Sequence, residues 1–240
     1  MNECTFINFS GGLDSTYYLW NFLNNNNNNK NIIVHHCVYN KSRSSYENRA
    51  VNKILSYLHS KGHSFYYIKS SLDFGYIDKP DYDIVIMLTI AAYICKSNKP
   101  IYKFCPFSDL NYVLNKPLNN YYVSEILLPY TLEEYPDLNN HFLSNGTLIN
   151  YKKNRGSFRA NAIFKYIFNN DVNFKILFSN KNIISKRKIV RDLPPELLKL
   201  ISFCRNPINN SICGKCPACK MNLFAMKQEN IDYTKMYNIC

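Results

Sequence analysis

Apolar and polar positions in the first half of the chain alternate between two periods. Cys4 to Phe9 is a short run rich in aromatic and β-branched residues and reads as a buried strand. After a turn at Ser10-Gly11-Gly12, Asp14 to Leu23 takes up helical spacing. Asp14 falls in its first turn, where the helix dipole and free amides favour a carboxylate. Ile32 to Tyr39 is apolar enough for a second buried strand. A helix follows in which Val51, Ile54, Leu55 and Leu58 sit at i, i+3, i+4 and i+7, and Gly62 stops it. Ser64 to Lys69 supplies a third strand, Asp83 to Cys95 a nearly all-apolar helix that has to be buried, and Ile101 to Cys105 a fourth strand. Strands alternating with helices predict an α/β fold, a doubly wound parallel sheet of the Rossmann-like kind. In such sheets ligands sit beyond the carboxyl ends of the strands, where Ser10 to Asp14, Tyr39 to Arg43 and Pro106 to Asp109 would converge.

The pattern weakens elsewhere. Asn24 to Asn29 is a low-complexity polar tract and reads as a surface loop. Between Asn111 and Asn170 only Phe158 to Phe168 has helical character. Asn173 to Phe178 reads as a strand, Pro195 to Phe203 as a short helix and Pro217 to about Gln228 as another. This places a nucleotide-binding α/β domain at residues 1–178 and a small helical, metal-binding region at 179–240.

Composition narrows the class. At 240 residues with 46% hydrophobic and 15% aromatic residues, the chain is globular, and two large independent domains do not fit. No apolar run approaches the roughly 18 residues that cross a bilayer, and the opening residues lack a signal-peptide pattern. These features suggest a soluble protein of the cytoplasm. The charge of +12 would attract nucleotides, nucleic acid or other anions, with Lys186, Arg187, Lys188 and Arg191 as the sharpest cluster. The richness in Asn, Lys, Ile and Tyr explains that charge equally well as coding bias, so nucleic acid is not favoured as a partner. A homodimer is compatible with the sequence.

Two motifs carry chemistry. The run Ser10-Gly11-Gly12-Leu13-Asp14-Ser15-Thr16 lies between a strand and a helix, where backbone amides and a helix N-terminus face an anion. The glycines allow close approach of a phosphate, and the hydroxyls add donors. A Walker A loop would need a lysine that this run lacks. Near the other end, Cys204, Cys213, Cys216 and Cys219 read C-x8-C-x2-C-x2-C. This spacing can close a tetrahedral four-thiolate site, which would be structural because no coordination position is left for substrate. Zinc suits it best, and the alternatives are an iron-sulfur cluster, which the same soft ligands permit, and four free thiols. Of the other cysteines, Cys4, Cys37, Cys95 and Cys105 read as small buried hydrophobes. His35 and His36 are adjacent on a strand, so they face opposite sides of the sheet and cannot serve one site.

The string S-G-G-L-D-S-T directly after the first strand resembles the signature of the PP-loop ATP pyrophosphatases, enzymes of the adenine nucleotide alpha hydrolase type. With the cysteine spacing, the chain looks like the 7-cyano-7-deazaguanine synthase family. The resemblance implies an ATP-dependent carbon-nitrogen ligase, with Mg2+ on the phosphates and structural zinc on the four cysteines. It implies adenylation of 7-carboxy-7-deazaguanine, conversion by ammonia to an amide, and activation of the amide by a second ATP to give the nitrile. It puts Ser10, Asp14 and Ser15 in the catalytic set, and Ser10, Gly11, Gly12, Leu13, Asp14, Ser15 and Thr16 around ATP and pyrophosphate. The chain departs from the family at Lys79-Pro80-Asp81-Tyr82-Asp83, where members carry P-G-R-N, and at Cys105-Pro106-Phe107-Ser108-Asp109, which replaces a glycine-containing loop. The acceptor therefore stays open. The alternatives are a tRNA-modifying PP-loop enzyme, by thiolation or lysidine-type ligation, and a nucleotide-binding member without catalysis.

Overall fold

The computed structural model describes residues 1–25, 30–39, 43–72, 83–97, 99–106, 117–128, 163, 166–167, 175–178, 185–209 and 211–239. Its elements are β1 (Asn2–Asn8), α1 (Leu13–Asn25), β2 (Asn31–Tyr39), α2 (Ser44–Ser60), β3 (Tyr66–Leu72), α3 (Asp83–Ser97), β4 (Tyr121–Leu128) and β5 (Lys175–Phe178). Helices α4 (Lys186–Asp192), α5 (Pro195–Leu198) and α6 (Pro217–Gln228) follow, with a 3-10 turn at Tyr233–Lys235. The strands form one sheet in the order β3-β2-β1-β4-β5. Every neighbouring pair is parallel. The direction of winding reverses between β1 and β4, so the loop after β1 opens at the switch point where doubly wound folds bind ligands.

Alternation along the strands sends side chains to two cores. Ile7, Ile32 and Val34 pack with α1, α2 and the C-terminal region in one cluster. Phe6, Ile33 and Ile126 pack with Ala91 and Ala92 of α3 in the other. The first cluster joins Leu13, Val51 and Leu55 to Cys204, Cys219 and Met226, so the cysteine-bearing region shares its core with α1 and α2, which flank the Ser10–Thr16 loop. Helix α2 buries the stripe Val51, Ile54, Leu55 and Leu58, and Gly62, at φ +88°, lets the chain turn away while its amide bonds His59 O at 2.9 Å.

Four expectations change. Ile101 to Cys105 does not join the sheet: Ile101 and Lys103 make only isolated antiparallel bridges, to Leu118 and Tyr66. The fourth strand is Tyr121–Leu128, inside the stretch that read as featureless. Its period is broken by a register shift against Cys4 and Thr5, so Tyr121 and Val123 are buried before the shift and Ile126 after it. Helix α3 is not buried all round; Ala91 and Ala92 face the core while Tyr93 is 59% exposed. The helix from Pro195 ends at Leu198 instead of reaching Phe203, which leaves Ile201 to Cys204 outside any helix or strand. Within 158–168 the described residues Ile163, Tyr166 and Ile167 are helical. Residues 26–29 of the asparagine tract, 79–82 and 107–109 lie outside the described residues.

Candidate functional site

The Ser10–Thr16 loop forms because β1 ends at Asn8 and α1 begins only five residues later. Gly11 turns the chain at φ +71°, a region that costs any other L-residue about 1–2 kcal/mol. A Cβ there would also come within 2.9 Å of Val51 Cγ2. Inside the loop the Ser15 hydroxyl lies 3.1 Å from that of Ser10 and donates to Gly12 O at 3.2 Å, while the Ser10 amide donates to Ser15 Oγ at 3.3 Å. The Gly12 amide donates to Ser10 Oγ at 3.3 Å. These contacts hold the loop in shape around the first-turn amides of α1, which have no carbonyl partner within the helix. Leu13, Ser15 and Thr16 are buried and Ser10 is exposed, so Ser10 stands at the mouth and Thr16 in the wall.

Asp14 meets a residue far along the chain. Lys186 at the start of α4 places its ammonium 2.9 and 2.8 Å from the two carboxylate oxygens of Asp14. The Lys186 side chain is 5% exposed and that of Asp14 15%. Ser185 caps α4 by accepting the Lys188 amide at 3.2 Å, and Ile189 and Val190 anchor the helix in the core, which fixes Lys186 over the loop. The loop thus has a lysine, supplied from another helix. Sequence spacing could not have revealed it. The only hint was a cation at the head of a helix whose next apolar pair faces inward. The rest of the basic cluster is paired: Arg187 with Glu229, Lys188 with Asp192 and Arg191 with Asp192.

The strand ends beside the loop are tied by two histidines. His35 Nδ1 lies 3.0 Å from Asn8 Oδ1 and its Nε2 2.8 Å from Ser70 Oγ, forming a polar row across β1, β2 and β3. Burial holds this imidazole down to about 3, with the neighbouring His36 adding to the effect, so the ring stays neutral and serves as a fixed brace. His36 points to the other face as the strand period predicts, with Nδ1 3.0 Å from Phe9 O and Nε2 2.9 Å from Asn48 Oδ1. Burial lowers its basicity too, against the pull of those two bonds.

The second site is the cysteine cluster. The Sγ atoms of Cys204, Cys213, Cys216 and Cys219 all lie within 4.8 Å of one another, and all four residues are buried. Metal-sulfur bonds of about 2.3 Å put the corners of a tetrahedron about 3.8 Å apart. The 3.9 Å between Cys213 Sγ and Cys219 Sγ is that edge. A cluster of several irons needs its thiolates spread around a larger core, so the donor set fits a single ion such as zinc. Backbone amides point at the sulfurs: Cys213 N at Cys204 Sγ (3.3 Å), Cys216 N at Cys213 Sγ (3.4 Å), Arg205 N at Cys216 Sγ (3.5 Å) and Cys219 N at Cys216 Sγ (3.4 Å). Cys216 is the N-cap of α6 and Pro217 its first residue, so one ligand doubles as a helix cap. The amides of Cys216 and Lys215 pull the Cys213 thiol down to about 6. Burial pushes Cys204 and Cys219 up, so binding a cation at this site releases protons. Of the other thiols, Cys4 and Cys37 are buried as expected, while Cys95 and Cys105 are only partly so.

Among the described residues no helix is long and apolar enough to cross a membrane. Comparison with protein-family models and with curated proteins finds no match.

Proposed function

We propose that the chain is an ATP-dependent ligase that adenylates a small carboxylate at the Ser10–Thr16 loop, with 7-carboxy-7-deazaguanine as acceptor and ammonia as nitrogen donor. The observation that supports it best is the loop itself. A glycine-turned, hydroxyl-lined segment sits at the sheet's switch point, and a buried lysine from α4 reaches its Asp14. An acceptor carboxylate oxygen attacks the α-phosphorus of ATP as the bond to the β-phosphate oxygen breaks. Pyrophosphate leaves into the loop, where the amides at the head of α1, Ser10, Ser15 and Lys186 take up its charge. Mg2+ on the phosphates would supply further neutralisation. Ammonia then displaces AMP from the acyl-adenylate to give the amide, and a second adenylation, on the amide oxygen, leads to the nitrile on loss of AMP. The protein contributes position and electrostatics, without a covalent intermediate on a side chain. Zinc held by Cys204, Cys213, Cys216 and Cys219 is structural in this reading, because four protein ligands leave it no open position.

The test is to incubate the zinc-loaded protein with ATP, Mg2+, ammonia and 7-carboxy-7-deazaguanine and follow the heterocycle by mass spectrometry. The reading predicts the nitrile, with AMP release that depends on the acid. AMP release with tRNA in its place would move the acceptor to nucleic acid. No AMP with either acceptor, despite bound ATP, would leave a nucleotide-binding protein without this chemistry.

A further inference from the structure

The Ser10–Thr16 loop and the cysteine cluster are joined by one short segment outside helix and strand. The Ser202 amide donates to Gly11 O at 2.8 Å, and the Ser202 hydroxyl approaches the same oxygen at 3.4 Å. On the other side of the peptide, a Cβ on Gly12 would come within 3.3 Å of Ser202 O, so the backbone of 202 lies directly against the loop. Two residues later comes Cys204, whose sulfur accepts the Cys213 amide. The segment itself is gripped along its length. Phe203 packs edge-on against Tyr237 with ring centroids 5.2 Å apart, and the Tyr237 hydroxyl donates to Leu198 O. Ser202 is 6% exposed, and the loop carbonyl it holds belongs to the one residue that turns the chain at positive φ, before α1 begins.

From this geometry we infer that Ser202 is a positioning residue for the phosphate loop and that, through it, the metal centre sets the loop's shape and its affinity for nucleotide. The part concerning nucleotide rests on the proposed ATP site; the part concerning the loop does not. Without an ion, four buried sulfurs within 4.8 Å of one another lose what draws them together, and Cys204 is freed to move. Ser202 then loses its anchor on the Cys204 side, and its bond to Gly11 weakens. Thiol oxidants or strong chelators that empty the cluster should therefore weaken nucleotide binding without touching any residue that contacts the nucleotide.

The experiment uses the full chain and reads amide hydrogen exchange at Ser10 to Thr16, with Val51 to Leu58 of α2 as the control. It is run on zinc-loaded protein, on protein stripped by a chelator and reloaded, and on Ser202→Pro, which lacks the donor amide but keeps all four cysteines. ATP affinity is measured on the same samples by calorimetry, and zinc by elemental analysis. Stripping should speed loop exchange on the order of tenfold, the worth of one buried backbone hydrogen bond, with α2 still protected and zinc restoring the loop. Ser202→Pro should reproduce the effect with one zinc still bound, while Ser202→Ala, which keeps the amide, should not. A loop that stays protected after stripping, or in zinc-loaded Ser202→Pro, overturns the inference. So does stripping that unprotects α2 as fully as the loop, since the metal would then hold the whole fold. If Ser202→Pro fails to fold, the stripped protein decides. Loop release on stripping in a protein that binds no ATP even with zinc would refute the nucleotide reading and leave the coupling standing.

Discussion

Replacing Lys186 by Met tests whether the loop's electrostatics depend on a cation from outside it. The substitution keeps most of the aliphatic stem but leaves the Asp14 carboxylate without the ammonium 2.8 Å away. Breaking a buried ion pair by removing one partner costs about 3–5 kcal/mol, mostly the penalty of an uncompensated charge. Asp14 is 15% exposed and stands in the first turn of α1, where the helix dipole returns about 0.3–1 kcal/mol, so the lower part of that range applies. We expect Lys186→Met to lose about 2–4 kcal/mol in urea unfolding of zinc-loaded protein. Asp14→Asn should lose a similar amount by removing the carboxylate that Lys186 contacts with both its oxygens, and the double variant should lose less than the sum by about 1–3 kcal/mol. Equilibrium urea melts on the four proteins close the cycle. A loss below about 1 kcal/mol for Lys186→Met, or strict additivity in the double variant, would refute a coupled buried pair. On the proposed ATP reading, nucleotide affinity should fall in Lys186→Met as well, because the Asp14 carboxylate in the loop loses the ammonium bound to it.

Gly11→Ala should lose about 2–4 kcal/mol in the same melts, from a strained φ and a contact with Val51 that leaves no room for a Cβ. One zinc per chain is expected by elemental analysis and should be lost in Cys216→Ser, which removes a ligand and the cap of α6 together; visible absorbance from bound iron would contradict the assignment. Stability should also fall with acid. The neutral His35 ring has an affinity for protons held down to about 3 against an ordinary 6.5, so the unfolded chain binds the extra proton between those values. Its contribution is complete above about 6.5 and is lost as pH falls through that window. His35→Gln should flatten this dependence relative to the parent in matched melts at about pH 7.5, above the window, and about pH 5, inside it, and an unchanged slope would contradict the assignment.

The elements with an unbroken period were legible in the sequence. Val51, Ile54, Leu55 and Leu58 mark one helix face, and Cys4 to Asn8 and Ile32 to Tyr39 lie in two-sided strands. The loop between them was legible because its glycines and hydroxyls are contiguous. Tyr121–Leu128 was hidden because a register shift splits its buried positions between two phases, and Ile101 to Cys105 looked like a strand because local β-type residues do not reveal which edge they pair with. The four cysteines declared a metal site by spacing alone. What joins them to the loop was not legible. Lys186 and Ser202 reach Asp14 and Gly11 across 172 and 191 positions, and only the packing of the C-terminal region onto α1 and α2 brings them there.

The most direct measurement of the central claim is phosphorus NMR of ATP and Mg2+ incubated with zinc-loaded protein, ammonia and the carboxylate acceptor. The account predicts AMP and pyrophosphate in equal amounts, and less of both from Lys186→Met at a matched ATP concentration below saturation. ADP and phosphate as the products would contradict it, because cleavage would then fall at the terminal phosphate instead of between α and β.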